Sequence, residues 1–328
     1  MKRCVVAIMT LAILGVLASG ASAATDPKFT LRLSHQMAPD HTLNLVSQRF
    51  ADLVKAKTNG NVEVQVFPSA QLGAEKDNAA ALRNGMLDLG IIAVEQYPSF
   101  VAESAVLVLP YLYKDYAHLD RVLNSDVAKD ISKMIVDKTN IRVLTYLTMA
   151  FRQMFTVDKE VKSAADLKGL KMRVPESPIY VAAFKQFGAA PTPIAWGEVY
   201  AALQTGVVKG VENTPEAVMT ASLQEVTKYL NLTNHLEGPS TISMSEQVFQ
   251  KMPKEYQAAL LAAAAEAAKY DQELTISRDK VARDKLATKL KVVEPDIASF
   301  KNAIKYDQIA LVSSDKGKEL IKRILEIK

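Results

Sequence analysis

Apolar and polar residues alternate along Phe29-Thr30-Leu31-Arg32-Leu33-Ser34 with the period of two that a half-buried strand requires. Leu43, Val46, Phe50 and Leu53 then recur at three- and four-residue intervals, which puts them on one helix face, and Asn59-Gly60 is a C-terminal stop signal. Val62, Val64 and Val66 alternate with Glu63 and Gln65 until Pro68 ends a second strand. A helix over about 75–84 stops at Gly85, and the apolar run Leu89-Gly90-Ile91-Ile92-Ala93 reads as a strand covered on both faces. The order βαβαβ predicts an open parallel sheet.

Between Ile141 and Val174 the pattern changes. Three strand-like runs, 141–146, 154–157 and 170–174, predict that a second sheet begins here. Helical segments over about 178–187, 196–205 and 215–229 alternate with short strands near Pro191-Thr192-Pro193 and Val207-Val208, as a second α/β unit requires. From Pro253 to about Leu290 the chain holds almost no breaker and includes the alanine-rich text 260–265, so one very long helix is expected. It could brace two lobes; the alternative is two helices with an unmarked break. No internal repeat, low-complexity linker or nucleotide-binding glycine fingerprint is present.

Composition adds the compartment. The 328 residues are 49% hydrophobic and 23% charged, the balance of a globular chain, and the length favours two packing units over one. Forty Lys and Arg against 36 Asp and Glu give +4, evenly scattered, which argues against nucleic acid as the main partner. Lys2 and Arg3 precede an apolar run over 5–17, followed by Ala21-Ser22-Ala23, the pattern of a cleavable secretory leader. The apolar run is short of the roughly 20 residues that a spanning helix needs. Cleavage after Ala23 removes 23 of 328 residues, leaving 305, together with two positive charges and Cys4, the only cysteine. An exported chain without a thiol has no disulfide, thiolate metal site or cysteine nucleophile. Cys4 also lies ahead of the apolar run, which argues against a lipid anchor.

Enzyme signatures are scarce. There is no G-x-S-x-G elbow, H-E-x-x-H, P-loop or Cys/His metal spacing, and the four histidines, His35, His41, His118 and His235, are dispersed. Asn231-Leu232-Thr233 matches a glycosylation sequon and is read as chance.

The informative text is Asp166-Leu167-Lys168-Gly169-Leu170-Lys171-Met172-Arg173-Val174-Pro175, then 191–200 (Pro-Thr-Pro-Ile-Ala-Trp-Gly-Glu-Val-Tyr) and 203–213 (Leu-Gln-Thr-Gly-Val-Val-Lys-Gly-Val-Glu-Asn). With Pro68-Ser69-Ala70-Gln71-Leu72-Gly73 and Val226-Thr227-Lys228-Tyr229-Leu230, these runs closely resemble the solute-binding proteins of tripartite ATP-independent periplasmic (TRAP) transporters, the DctP-like family. The resemblance covers essentially the whole chain after the leader. It implies an α/β, two-lobed periplasmic binding protein fold with a ligand cleft between lobes and the long helix bracing both. Lobe I is expected from 24–149 plus about 239–280, and lobe II from 150–238 plus about 281–328.

The resemblance also implies site residues. Arg173 matches the arginine that grips the ligand carboxylate, a role suited to a planar fork that stays charged. The local pattern by itself favours a solvated strand face, with Lys171 and Arg173 opposite Leu170, Met172 and Val174. Arg152 resembles a second basic contact; alternatively it is a surface arginine beside an edge strand. Asn213 matches an asparagine that bonds ligand from the second lobe, and it also fits a helix cap with Glu216 three residues on and Pro215 in the first turn. Trp196, the only tryptophan, falls where the family places an aromatic over the ligand, yet it also starts a helical stripe with Val199, Tyr200 and Leu203. Glu75 aligns with an acidic ligand contact of some members, or is a first-turn glutamate favoured by the helix dipole. His35 and Gln36, and Glu95 and Gln96, follow predicted strands where open α/β sheets expose residues to a crevice. Family members commonly carry Asp where this chain has Lys209.

The function implied is capture of a small organic acid outside the cytoplasm and its delivery to the membrane subunits of a sodium-coupled TRAP transporter, by a monomer without cofactor, metal or nucleic-acid partner. The ligand is a dicarboxylate or a hydroxylated acid such as a uronate or aldonate, with Trp196 favouring the latter. Two rivals are the sensing subunit of a receptor and a secreted hydrolase or lyase.

Overall fold

The computed structural model describes residues 28–328, so the leader and its expected cleavage site lie outside the described residues. Eleven strands are present: β1 (Phe29–Ser34), β2 (Val62–Phe67), β3 (Leu89–Ala93), β4 (Ile141–Leu147), β5 (Arg152–Thr156), β6 (Lys171–Val174), β7 (Ala190–Pro193), β8 (Gly210–Asn213), β9 (Tyr229–Leu236), β10 (Ser240–Ser245) and β11 (Lys291–Val293). They form two sheets, ordered β2-β1-β3-β10-β4 and β11-β9-β5-β8-β6-β7. The first three strands are parallel, as the βαβαβ pattern requires, and β10 inserts antiparallel between β3 and β4.

Three expectations are corrected. The run at 141–146 does not open the second sheet: as β4 it is the edge of the first, held by β10, a pairing across about a hundred residues that no local pattern encodes. The strand expected at Val207-Val208 begins instead at Gly210, because Gly206 (φ 74°) turns the chain and leaves Val207 exposed before β8 enters between β5 and β6. The helix expected over 215–229 is only Pro215–Thr220; Thr220 Oγ1 bonds back to the Glu216 carbonyl, Ser222 takes the left-handed conformation at φ 55°, and the chain enters β9 at Tyr229.

Gly210 in β8 is set by close approach. A Cβ there would lie 2.4 Å from Met172 Sδ and 3.0 Å from the Phe155 carbonyl oxygen.

The long helix is one uninterrupted element, Lys254–Ala287, 34 residues. Its Leu260, Ala263, Ala264 and Ala267 pack into the cluster of Leu31, Phe50 and Ile242 on the first sheet. Leu286, near its end, packs with Val199, Val218 and Leu230 of the second. Alanine at the packed positions combines helix propensity with close approach to the helix Thr42–Lys57.

The chain crosses between the sheets three times, from β4 to β5, from β9 to β10 and through the long helix from β10 to β11, and the first two, which run directly from strand to strand, are held by buried carboxyls. Asp271, mid-way along the long helix, accepts the Thr148 N–H at 2.7 Å; Glu237 accepts the adjacent Met149 N–H at 2.8 Å. Thr275 Oγ1 donates to the Thr148 carbonyl at 3.3 Å. Neither carboxyl has a basic partner within ion-pair distance among the described residues.

Burial, only partly opposed by the Thr148 N–H and Thr275 hydroxyl, holds the Asp271 carboxyl well above its ordinary 3.8. The folded state therefore keeps this proton where the unfolded chain has released it, so its contribution is full below the unfolded value and is lost as pH rises. Asp271→Asn keeps an acceptor for Thr148 and cannot ionise. Its melting temperature should exceed that of the wild type at about pH 7.5, with the gap closing towards about pH 4. A gap independent of pH, read by calorimetric scans, would contradict the assignment.

Candidate ligand-binding site

The carboxyl ends of parallel strands leave residues facing outward into a crevice. Here β1 ends at Ser34 before His35 and Gln36, β3 ends at Ala93 before Glu95 and Gln96, and β6 and β8 end with Arg173-Val174 and Glu212-Asn213. The helix Glu75–Arg83 begins at the same level, and β5 begins there with Arg152. These ends meet, and all nine residues singled out from sequence line one cavity: His35, Gln36, Glu75, Glu95, Gln96, Arg152, Arg173, Trp196 and Asn213.

Arg173 and Arg152 are buried, at 3% and 5% exposure, which excludes both the solvated strand face and the surface arginine. Their surroundings differ. Arg152 is gripped through two bonds by Glu212 in β8, Nε to Oε2 at 2.5 Å and Nη2 to Oε1 at 2.6 Å, and its guanidinium lies over the Tyr180 ring. His235 Nε2 stands 3.3 Å from the same Glu212 oxygen, with Nδ1 against Thr233 Oγ1 at 2.8 Å. Burial disfavours the charged arginine, but the Glu212 carboxylate more than offsets it and raises the Arg152 pKa. Burial likewise works against the Glu212 carboxylate, and Arg152 and His235 overcome it, so its pKa falls below the ordinary 4.5. The pair stands in the wall of the cavity, with Arg152 Nε and Nη2 committed to Glu212.

Arg173 has no carboxylate partner among the described residues. Its Nε and Nη2 donate to the Ile194 carbonyl at 2.9 and 2.7 Å, and Trp196 stands 5.5 Å from the guanidinium. Burial, and to a lesser degree the charge of Arg152, bring its pKa down to about 10 against the pull of Glu212 and Glu95. It remains a cation at neutral pH.

Opposite in charge are two buried glutamates. Glu75 accepts the Ala93 N–H at 2.6 Å and Gln36 Nε2 at 2.8 Å. Burial pushes its pKa up to about 7, with Arg152 and Arg173 opposing the rise. Glu95 is pushed up to about 8 by burial and the neighbouring Glu75 and Glu212, against Arg152, and its Oε2 is buried without a hydrogen bond. His35 bonds Asn44 through Nε2 at 3.2 Å; burial lowers its pKa to about 4, so it is neutral, and Nδ1 has no partner.

Asn213 is not the helix cap. Its Oδ1 accepts the Thr214 N–H at 2.8 Å, and Thr214 caps the helix through Ala217 N–H, one residue later than expected. Trp196 sits in a turn, Trp196–Glu198, ahead of the helix Val199–Gln204; Val199 and Leu203 are core, while Trp196 touches both apolar clusters and the cavity. The sequon Asn231 is fully buried, bonding Val161 N–H and the Met154 carbonyl, and Lys209 forms an exposed pair with Asp158 at 3.4 Å, outside the cavity lining.

Sequence reasoning missed Glu212, His235, Tyr180 and Gly238. Glu212 carried a signal: a carboxylate inside the short apolar strand Gly210–Asn213 has to be paired. Gly238, on the second crossing, admits no side chain, since a Cβ would lie 2.7 Å from Tyr180 Oη.

The sequence matches the profile of the bacterial extracellular solute-binding proteins, family 7 (DctP), over residues 33–310. A solute-binding protein of Roseobacter denitrificans is 32% identical over 301 residues, 92% of each chain. Among solved structures, a TRAP periplasmic solute-binding protein of Bradyrhizobium sp. in complex with α/β-D-galacturonate superposes with TM-score 0.87 at 31% identity, covering 90% of this chain and 99% of that one. Another from Sulfurospirillum deleyianum with bound succinate gives 0.85 at 29% identity, covering 92% and 100%.

The two arginines should differ in ligand-free stability. Arg152→Ala strands Glu212 as a buried unpaired charge and should cost about 3 to 5 kcal/mol. Arg173→Ala loses only bonds to one carbonyl and relieves a desolvated cation, so about 1 kcal/mol or less is expected. Urea unfolding of both variants checks this, and equal losses would contradict it.

Proposed function

The chain belongs to the bacterial extracellular solute-binding proteins of family 7, and from that premise we propose that it captures a small hydroxylated organic acid between its lobes and hands it to the membrane subunits of a sodium-coupled TRAP transporter. Binding, not turnover, is the business of this family, which sets aside the hydrolase or lyase. One observation carries the reading: Arg173 is a buried guanidinium without a carboxylate partner among the described residues, in the cavity that the strand ends form. A ligand carboxylate supplies that partner, in a cleft where charged bonds are strong. Asn213, with Oδ1 committed to Thr214, offers its amide N–H groups; Trp196 offers a flat face to a carbon skeleton. The galacturonate held by the Bradyrhizobium relative supports a sugar acid.

Capture proceeds by closure about the crossings between the sheets, because only a closed cleft brings both lobes onto the ligand. Contacts between the two sides support this: Ser177 Oγ donates to the Glu95 carbonyl at 2.6 Å, and Glu216 accepts from Thr42 N–H at 3.1 Å and Thr42 Oγ1 at 3.0 Å. The exported chain should begin at Ala24 and carry no thiol. Intact mass of protein secreted by its host checks this, and retention of Cys4 or a lipid would overturn it.

Arg173 is tested by calorimetry with an acid from a panel of uronates and aldonates first found by thermal shift. Arg173→Ala leaves a buried carboxylate unpaired and should cost about 2 to 5 kcal/mol, roughly thirtyfold to several thousandfold in affinity. Arg173→Lys keeps the charge without the fork and should not restore wild-type binding. An alanine variant within about threefold of wild type would exclude the assignment.

A further inference from the structure

Charge in the cavity is unequally committed. Among the described residues only two basic side chains with fixed charge are buried, Arg152 and Arg173. Glu212 occupies the Arg152 fork through both of its oxygens, so that pair presents no net charge to a ligand. Of the buried cations Arg173 is left; Lys76, which also lines the cavity, is exposed and stands 4.0 Å from Glu176, another lining residue. The same cavity is lined by Glu75 and Glu95, both buried and neither within ion-pair distance of a base. Each acid has acceptor capacity to spare. Glu75 takes one hydrogen bond on each oxygen, from Ala93 N–H and Gln36 Nε2, and Glu95 Oε2 takes none.

From this arrangement we infer that Glu75 and Glu95 are specificity-determining residues: they restrict the site to acids bearing a single carboxylate, accept hydrogen bonds from the hydroxyls of that acid, and turn away a second carboxylate. The inference rests on the capture of an organic acid at Arg173. Its chemistry is a charge balance. A monoanion compensates Arg173, and its hydroxyls are the donors that two carboxyl groups need. A dianion brings a second negative group into a wall whose other buried cation is already spent on Glu212, against carboxyls that, once ionised, cannot donate to it. The relative that holds succinate shows that this fold also accommodates a diacid, so selection falls to the lining residues.

The selection depends on pH in a definite direction. Around Glu75 stand Gln36, the Ala93 N–H, Arg152, Arg173, Glu95 and Tyr97; around Glu95 stand Arg152, Glu75, Glu212, Tyr180 and Glu237. Burial raises the two carboxyls to about 7 and about 8. Below these values both are neutral and donate as well as accept, while a sugar diacid keeps both charges, so discrimination weakens in acid and strengthens as pH rises.

Matched probes isolate the second carboxylate: D-gluconate against D-glucarate, and D-galactonate against galactarate, each pair differing only where a terminal CH2OH becomes a carboxylate. Calorimetry at about pH 8 should give the monoacid of the binding pair at least a hundredfold advantage, which should narrow by about tenfold or more near pH 5. Glu95→Gln and Glu75→Gln, near-isosteric and able to donate, should each shift the diacid-to-monoacid affinity ratio towards the diacid by about tenfold or more. A diacid bound as tightly as its monoacid at about pH 8, with both dependent on Arg173, overturns the selection and leaves acid capture standing. Binding that ignores Arg173, or no binding by any probe, overturns the capture reading and the selection with it. An unchanged ratio in both glutamine variants also overturns the selection.

Discussion

The bond between Arg152 and Glu212 organises the cavity. It joins the first residue of β5 to β8, and both groups are too deeply buried to stand alone. Each is charged because the other is. His235 extends the unit to β9, so three neighbouring strands of the second sheet are tied at the level where the ligand cavity begins. With one arginine consumed in this way, the second acquires its meaning: Arg173 is held in place by a carbonyl, which orients a guanidinium without neutralising it.

The second constraint is the passage of the chain between two sheets. The direct crossing from β4 to β5 leaves the Thr148 and Met149 N–H groups outside either sheet, and a buried N–H without an acceptor is costly. Asp271 and Glu237 supply the acceptors, and the long helix carries Asp271 to the place where it is needed. Neither carboxyl has a base within ion-pair distance among the described residues, and burial holds both well above their ordinary values, so they serve as neutral or nearly neutral acceptors. Around the cavity the two sides meet through polar contacts, among them Ser177 with Glu95 and Thr42 with Glu216.

Much of this was legible in the chain. Periodicity alone delivered β1, β2 and β3 with their helices, the parallel opening and the single long helix, because those elements are specified by residues close together in sequence. Topology then put His35, Gln36, Glu95 and Gln96 at strand ends, and all four line the cavity. Resemblance to a family supplied Arg173, Arg152, Asn213, Trp196 and Glu75, which local pattern by itself would have left as a surface strand, an edge, a cap, a core stripe and a first-turn acid.

What the sequence could not express was who partners whom. That β4 lies at the edge of the first sheet depends on β10, and β9 and β10 themselves went unread because their residues, such as Asn231 and Ser243, are polar yet buried in bonds to residues distant in sequence, Met154 and Tyr97. Arg152 and Arg173 are the same residue type on β5 and β6, the two strands that flank β8, and nothing local distinguishes them. The sequence by itself determined the compartment pattern, the element types and the inventory of charged side chains. Only the tertiary structure decided which charges cancel, because an ion pair is a property of distance and burial, and both arise from strands brought together by the fold.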